Sequence, residues 1–427
     1  MGEAEGPLNG GQGSWLFSAR RSFLDVVLTR GADSAIPHYA DVVGRLEYAL
    51  SPAHRVELLG VDAVDDVLVD SADPTHRLRD DQASALVGLS VRSQWTPRTS
   101  TAVFLGYTRM KIDAAGDEHG GVDRSTEIEL RARGEVRHRL GADGEAAAGL
   151  AVKRADLRFD LDANGFRSPF NSYVAPVQSH FPYAFVDLAG YADLRLPIVA
   201  RLQVTPGIRV DRQGTTNRIF ASPRLNVEYR AREHLRLTGA VGVYRQSMPC
   251  IWIGSDVRNA TLDPVRSLQT LAGLSARLPA TVDLVVEAFD KRYTGYPVDS
   301  LEWWHALVDA AADFESPFVG LLRADGTVHA RGVDTSVDKR LAGHVDVNAS
   351  YSLASFNASR YPPYHRLDVR VDRTFAIHGT ALIACGEIEN VYNRDNVLIY
   401  EWSRAGAQPR PGYQWSRLPV GGIRWEF

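Results

Sequence analysis

Seven charged residues stand at every second position in one stretch of this chain: Glu127, Glu129, Arg131, Arg133, Glu135, Arg137 and Arg139. A row of charges on one face can select permeating ions, or it can pair into a stable wet wall. Both signs are present in similar number, which favours a paired wall, Glu against Arg on neighbouring strands. A second group, Asp160, Asp162 and Asn164 before Gly165, has the alternating oxygens of the first half of a calcium loop. The twelfth position holds Asn171 where a bidentate acid belongs, so a solvated polar turn is favoured there. A third group, Trp303, Trp304 and His305, offers aromatic and imidazole surface to a substrate, or packs as a short loop helix on its own wall. Acyl or peptide hydrolysis needs an organised nucleophile, base and acid. None of the serines lies in a Gly-x-Ser-x-Gly elbow, and no glycine-rich phosphate loop occurs. The residues point to no enzyme and imply no cofactor.

The elements that position these residues follow from the period. Between the seven charges lie Ile128, Leu130, Ala132, Gly134, Val136, His138 and Leu140. A period of two is that of a strand with one face in water and the other against something apolar. The same pattern recurs. Leu202, Val204, Ile208 and Val210 oppose Arg201, Gln203, Arg209 and Asp211, and Leu367, Val369 and Val371 oppose Arg366, Asp368 and Arg370. The spacing predicts about 18 strands between Ser14 and Phe427. Turn chemistry such as Ser51-Pro52, Thr96-Pro97, Pro279-Ala280 and Ala342-Gly343 joins them in pairs, and long connections join the pairs. Each short turn falls on the side of the C-terminus. A soluble antiparallel sandwich would have short loops at both ends. Long strands with loops long on one side only predict an all-β fold: a transmembrane, antiparallel, up-and-down β-barrel, one domain over residues 1–427. Trp15, Tyr39, Trp95, Tyr107, Tyr229, Tyr244 and Trp425 are candidates for interfacial girdles.

Composition agrees with a barrel and excludes other classes. Of 427 residues, 44% are hydrophobic and 23% charged, which suits neither a disordered chain nor a helical membrane protein. No apolar run approaches the roughly 18 residues of a membrane helix, and a barrel would have none, because only alternate residues meet lipid. The 48 Lys and Arg against 52 Asp and Glu give a net charge of -4 and no basic stripe, so no nucleic-acid partner is expected. Cys250 and Cys385 lie far apart and read as two unpaired thiols. The start, Met1-Gly2-Glu3-Ala4-Glu5, lacks the basic and apolar regions of a signal peptide, so a removed signal or an upstream start is expected.

Several segments resemble TonB-dependent outer-membrane receptors. Gly13-Ser14-Trp15-Leu16-Phe17-Ser18-Ala19-Arg20-Arg21 is similar to their early barrel, and Ala330-Arg331-Gly332-Val333-Asp334 to a later strand. Glu387-Ile388-Glu389-Asn390-Val391-Tyr392-Asn393-Arg394 looks like their penultimate strand, with Val391-Tyr392 in place of Leu-Phe. The ending Trp425-Glu426-Phe427 is similar to the terminus that barrel-assembly machinery reads; Trp425 and Phe427 would carry that signal. The resemblance implies a receptor that takes up a scarce nutrient, with lipid and the assembly machinery as partners. It also implies an N-terminal plug, a segment that contacts TonB, and 22 strands. Neither plug nor TonB segment is found here, and about four strands fewer, so an N-terminally shortened barrel is expected, coupled to TonB only if a plug lies upstream. The first and last strands are expected to pair and close it. The alternative is a passive pore or a structural surface barrel.

Overall fold

The structure, a computed structural model, describes residues 2–22, 34–70, 78–116, 121–163, 166–167, 173–174, 176–299, 320–356, 362–377, 380–402 and 409–426. Its main element is one 20-stranded sheet in which every pairing is antiparallel. The first strands are β1 (Gly2–Leu8), β2 (Gly13–Arg21), β3 (Ser34–Ser51), β4 (His54–Asp70), β5 (Leu78–Thr96) and β6 (Thr99–Gly116). They are followed by β7 (Gly121–Asp123), β8 (Thr126–Arg139) and β9 (Glu145–Ala163). A two-strand hairpin, β10 (Phe166–Arg167) and β11 (Tyr173–Val174), stands apart from the sheet. The wall continues through β12 (Val177–Val199), β13 (Leu202–Arg212), β14 (Ile219–Arg232), β15 (Leu235–Gln246), β16 (Val265–Leu278) and β17 (Val282–Asp299). It ends with β18 (Leu322–Leu341), β19 (Val345–Phe356), β20 (Tyr364–Ile377), β21 (Thr380–Glu389) and, after the small hairpin β22 (Val397–Trp402) and β23 (Pro409–Tyr413), β24 (Leu418–Glu426). The one α-helix among the described residues is α1 (Cys250–Ser255), followed by a 3-10 turn at Val257–Thr261.

Sequential neighbours pair throughout, so the sheet is up-and-down. Short turns close one end, for example at 52–53, 97–98, 233–234 and 279–281, and the longer connections lie at the other. Tight turns on one side with extended loops on the other are the arrangement of outer-membrane barrels. The accessible surface is 26023 Å², whereas a compact protein of this mass would expose roughly 16,000 Å². A hollow, two-sided wall accounts for the excess.

The strand count differs from the sequence expectation at three places. β1 was not expected, because Gly-Glu-Ala-Glu-Gly-Pro-Leu has no apolar alternation; it pairs with β2 across a turn that Gly10 and Gly11 enter at positive φ. β7 is a three-residue rung between β6 and β9, in line with β8. The strand expected over Thr380–Tyr400 stops at Glu389, where Asn390 and Asn393 take left-handed conformations. The Asn390 side chain locks that turn by donating to the Arg394 carbonyl and accepting from the Arg394 amide, at 2.8 and 3.0 Å. The last strand accordingly begins at Leu418 rather than Tyr413.

The expected pairing of the first and last strands is not found among the described residues: the strand expected first, from Ser14, is β2, which pairs with β1 and β3, and β24 pairs with β21. The extra strand explains why: β1 occupies the edge of β2 that an antiparallel seam with β24 would use. Counting β7 and β8 as one rung leaves nineteen of the twenty strands, so β1 and β24 run the same way, and an antiparallel seam between them is impossible.

Candidate functional site

The register sets the two faces of the wall. Glu127, Glu129, Arg131 and Arg133 on β8 stand opposite Leu157, Ala155, Lys153 and Ala151 on β9, which in turn stand opposite Tyr183, Phe185, Asp187 and Ala189 on β12. These residues share the face that carries charge. On the other face, Leu130, Ala132, Val136, Leu150, Val152, Leu188, Ile208 and Val210 form an apolar band. Leu150 is 73% exposed and lies between Gly134 and Gly190. Shallow apolar grooves flank it. Such a surface is costly in water and suited to lipid. Trp15, Trp95, Tyr229 and Trp425 lie on this apolar face near the short-turn end, where an interfacial girdle belongs. Tyr39 and Tyr244 differ from the girdle reading, because the register puts both on the charged face.

On the charged face the pairs form chiefly along single strands rather than across them. Arg131 bonds to Glu129, Arg209 to Asp211, Arg366 to Asp368 and Arg370 to Asp372. Residues i and i+2 share a face about 7 Å apart, and an arginine side chain spans that gap. Cross-strand links also occur, such as Lys153 to Asp187 at 3.1 Å and Arg137 to Glu145 at 3.4 Å. Glu135 is the most connected of the seven charges on β8. It accepts from the Tyr191 hydroxyl at 2.7 Å, from Arg133 at 2.7 Å and from Arg137 at 2.5 Å. The Tyr191 ring fills the space beside Gly149, where a Cβ would come within 2.4 Å of it. Glu127 faces Met110 and Leu157 toward the long-connection end, and Arg139 faces Glu145 at the turn end.

Toward the long-connection end the charged face turns apolar. Ala155, Leu157, Phe159, Leu161 and Val177 are buried there, with Phe181, Tyr183 and Phe185 around them. They are covered by the connection between β15 and β16, which sequence reasoning took for an outer loop. Cys250 and Ile251 of α1 pack on this patch, Ile253 is buried, and a Cβ at Gly254 would strike the Phe159 ring. The connection is thus a strap folded inside the wall. Asn259, 1% exposed, pins it. Its amide nitrogen donates to the carbonyls of Trp252 and Gly320 at 2.9 and 3.1 Å, and its oxygen accepts from the Leu322 amide at 2.9 Å. The 3-10 turn is capped by Asp256, which bonds both the backbone and the guanidinium of Arg258; the guanidinium holds its carboxyl below the usual range. Burial pushes the Cys250 thiol up to about 12. At pH 8 roughly one in ten thousand such groups is thiolate. A maleimide is expected to modify Cys385 well before Cys250, by about tenfold or more, as mass spectrometry of labelled peptides reads directly. Equal rates would contradict the packed strap.

The other sequence candidates fall as follows. Asp160 and Asp162 are strand residues of β9 on the face away from the strap; Asp160 pairs with His180 at 2.6 Å. Asn164 lies outside the described residues, as do Trp303, Trp304, His305 and Phe427. Among the described residues no cluster of three metal-binding side chains occurs. Trp425 donates its indole N–H to Thr380 at 2.9 Å. Cys250 and Cys385 are free thiols. The strap and its Asn259 pin carried no sequence signal, because their partners lie 61 and 63 positions away.

A wall with one apolar face and a charge-paired inner face defines the class of outer-membrane barrels. The chain belongs to the family of TonB dependent receptor-like β-barrels, whose model matches residues 40–381. The family is one of outer-membrane transport receptors rather than enzymes. Solved structures with this fold include the siderophore receptor PirA of Acinetobacter baumannii, at 12% identity and a TM-score of 0.71, covering 99% of this chain and 70% of that one. The ferric enterobactin receptor PfeA of Pseudomonas aeruginosa matches at 14% identity and 0.69, covering 98% of this chain and 69% of that one. Pseudomonas aeruginosa FpvA, in a complex with pyoverdine and iron, matches at 13% and 0.68, covering 100% and 69%. At these identities the likeness is one of fold. No curated protein matches the sequence.

Proposed function

We propose that this chain is the barrel of an outer-membrane receptor that takes up a scarce nutrient ligand, with a ferric chelate of the siderophore kind as the leading candidate. The barrel spans the outer membrane as an integral protein. Ligand recognition falls to the strap and the outer connections, including the Trp303, Trp304 and His305 segment. TonB supplies energy in the family through a plug, and that coupling is proposed here for a barrel working with such a plug. The observation that carries the reading is the charge-paired inner face with a strap folded onto it, in a chain of this family. A pore needs only the wet wall; a pinned, half-apolar strap makes a surface for a solute to rest on.

The test is binding by the folded chain of a panel of ferric siderophores, including enterobactin and pyoverdines, alongside current recordings in planar bilayers. Saturable binding of one member is expected. A steady conductance with no saturable binding would favour the passive pore and sink the receptor reading.

A further inference from the structure

On the outer, apolar face, cations collect at one level. Counted from the short-turn end, Arg109 and Lys111 are the eleventh and thirteenth residues of β6, Arg158 the fourteenth of β9, Arg212 the eleventh of β13 and Arg331 the eleventh of β18. The register sets all five on the outer face. Arg109 stands opposite Ile128, Lys111 and Arg158 flank Thr126, and Arg212 lies between Leu188 and Ile219. Arg331 shares the face of Val333, which stands opposite Leu353. With a rise of about 3.3 Å per residue and a tilt of about 40°, they lie roughly 25–35 Å above the turns, at the outer rim of an apolar band about 25 Å tall. All five are exposed, and among the described residues none is ion-paired. Inner-face cations such as Arg131, Arg209 and Arg366 are paired. The outward carboxylates near the five are already taken: Asp113 by Arg124, Asp156 by Arg154, and Asp290 by Arg292 and His329. Asp62 is left over, two strands from Arg109 across Ala85, and one carboxylate does not balance five cations.

Below Arg212 the wall is hollowed. A groove of about 710 Å³ runs among Gly134, Leu150, Leu188, Val210 and Ile219, with Arg212 in its lining. A Cβ at Gly134 would meet nothing within 4 Å, so the groove is open there. Arg212 bonds the Asn217 side chain and keeps its charge uncompensated. Unpaired cations at the rim of a lipid band attract anionic headgroups, and guanidinium matches phosphate in geometry. The five stand on four separate strands around the wall, which suits many small lipids better than one compact protein partner. We infer that this rim is a seat for phosphate-bearing, multiply acylated lipid of the outer leaflet, with an acyl chain in the groove and a phosphate at Arg212. The inference rests on the wall spanning a membrane and is independent of which solute the barrel takes.

The probe is hexa-acylated lipid A with two phosphates, titrated into the folded full chain in neutral detergent and counted by native mass spectrometry. At least one held copy is expected, with the dephosphorylated lipid about tenfold weaker. Arg212→Gln and Lys111→Gln are each expected to weaken binding by about threefold to fivefold. Gly134→Leu fills the groove without touching a charge and is expected to weaken it by about as much. Arg92→Gln removes a cation in line with Ala102 and Glu135 on the inner face, and is expected to change nothing. Excess inorganic phosphate is expected not to displace the lipid. Heat-shifted gel mobility reports folding; if Gly134→Leu does not fold, the two cation variants decide. Equal binding of the dephosphorylated lipid, displacement by phosphate, or an Arg212→Gln effect no larger than that of Arg92→Gln would overturn the lipid seat. If a ferric siderophore still binds in that case, the receptor reading stands.

Discussion

Replacing Leu150 by arginine is expected to destabilise the folded barrel by about 2–4 kcal/mol, the cost of a cation at the middle of the lipid band. Leu150 points away from the charged face, is 73% exposed, and has Ala146, Ala148 and Val152 on its own strand face. The next residue, Ala151, lies between Arg133 and Ala189 on the charged face. Arginine at 151 meets water and is expected to cost well under half as much. Urea unfolding of the barrel in lipid vesicles compares the two. The large difference between adjacent positions is the signature of a two-faced wall, and similar costs at 150 and 151 would contradict it.

The second large effect is expected from Asn259→Ala. The substitution leaves the Gly320 carbonyl and the Leu322 amide without that buried partner, while the Trp252 carbonyl keeps the Asp256 amide at 3.2 Å. Each orphaned group costs about 1–3 kcal/mol unless water reaches it, and the cheapest escape is for the strap to lift off. The barrel wall has its own ladder of backbone bonds and does not depend on the pin. Hydrogen exchange is therefore expected to rise by about tenfold or more across 250–261 and to stay unchanged across β15 and β16. Planar-bilayer conductance should rise with it, because the strap occupies the inside of the wall. Unchanged exchange in the strap would mean that packing on Phe159 and its neighbours holds it without Asn259.

Both predictions depend on features of unequal visibility in the sequence. The strand Thr126–Arg139 was legible because its alternation is unbroken, and the face assignment of every neighbour follows once one strand is fixed. The family resemblance was legible at Glu387–Arg394, yet the conformation there was not. Asn390 and Asn393 read as strand residues, although asparagine is among the few side chains that tolerate positive φ, and here both use it to end the strand. β1 was hidden because Gly2–Leu8 has almost no apolar residue to alternate; it is held by backbone pairing with β2. The strap was hidden for another reason. Cys250, Ile251, Trp252 and Ile253 form an apolar run whose burial depends on Phe159, Phe181 and Phe185, residues that a local pattern cannot bring together.

The central claim is that one face of this wall lies in lipid and the other in water. The most direct test places a fluorophore at single cysteines from 146 to 153, in a chain with Cys250→Ser and Cys385→Ser, folded into vesicles. A lipid-borne nitroxide is expected to quench positions 146, 148, 150 and 152, and aqueous iodide positions 147, 149, 151 and 153. Quenching that alternates in this phase establishes the two-faced barrel. Uniform quenching by iodide at all eight positions would mean that the wall does not sit in a membrane, and the receptor reading would fall with it.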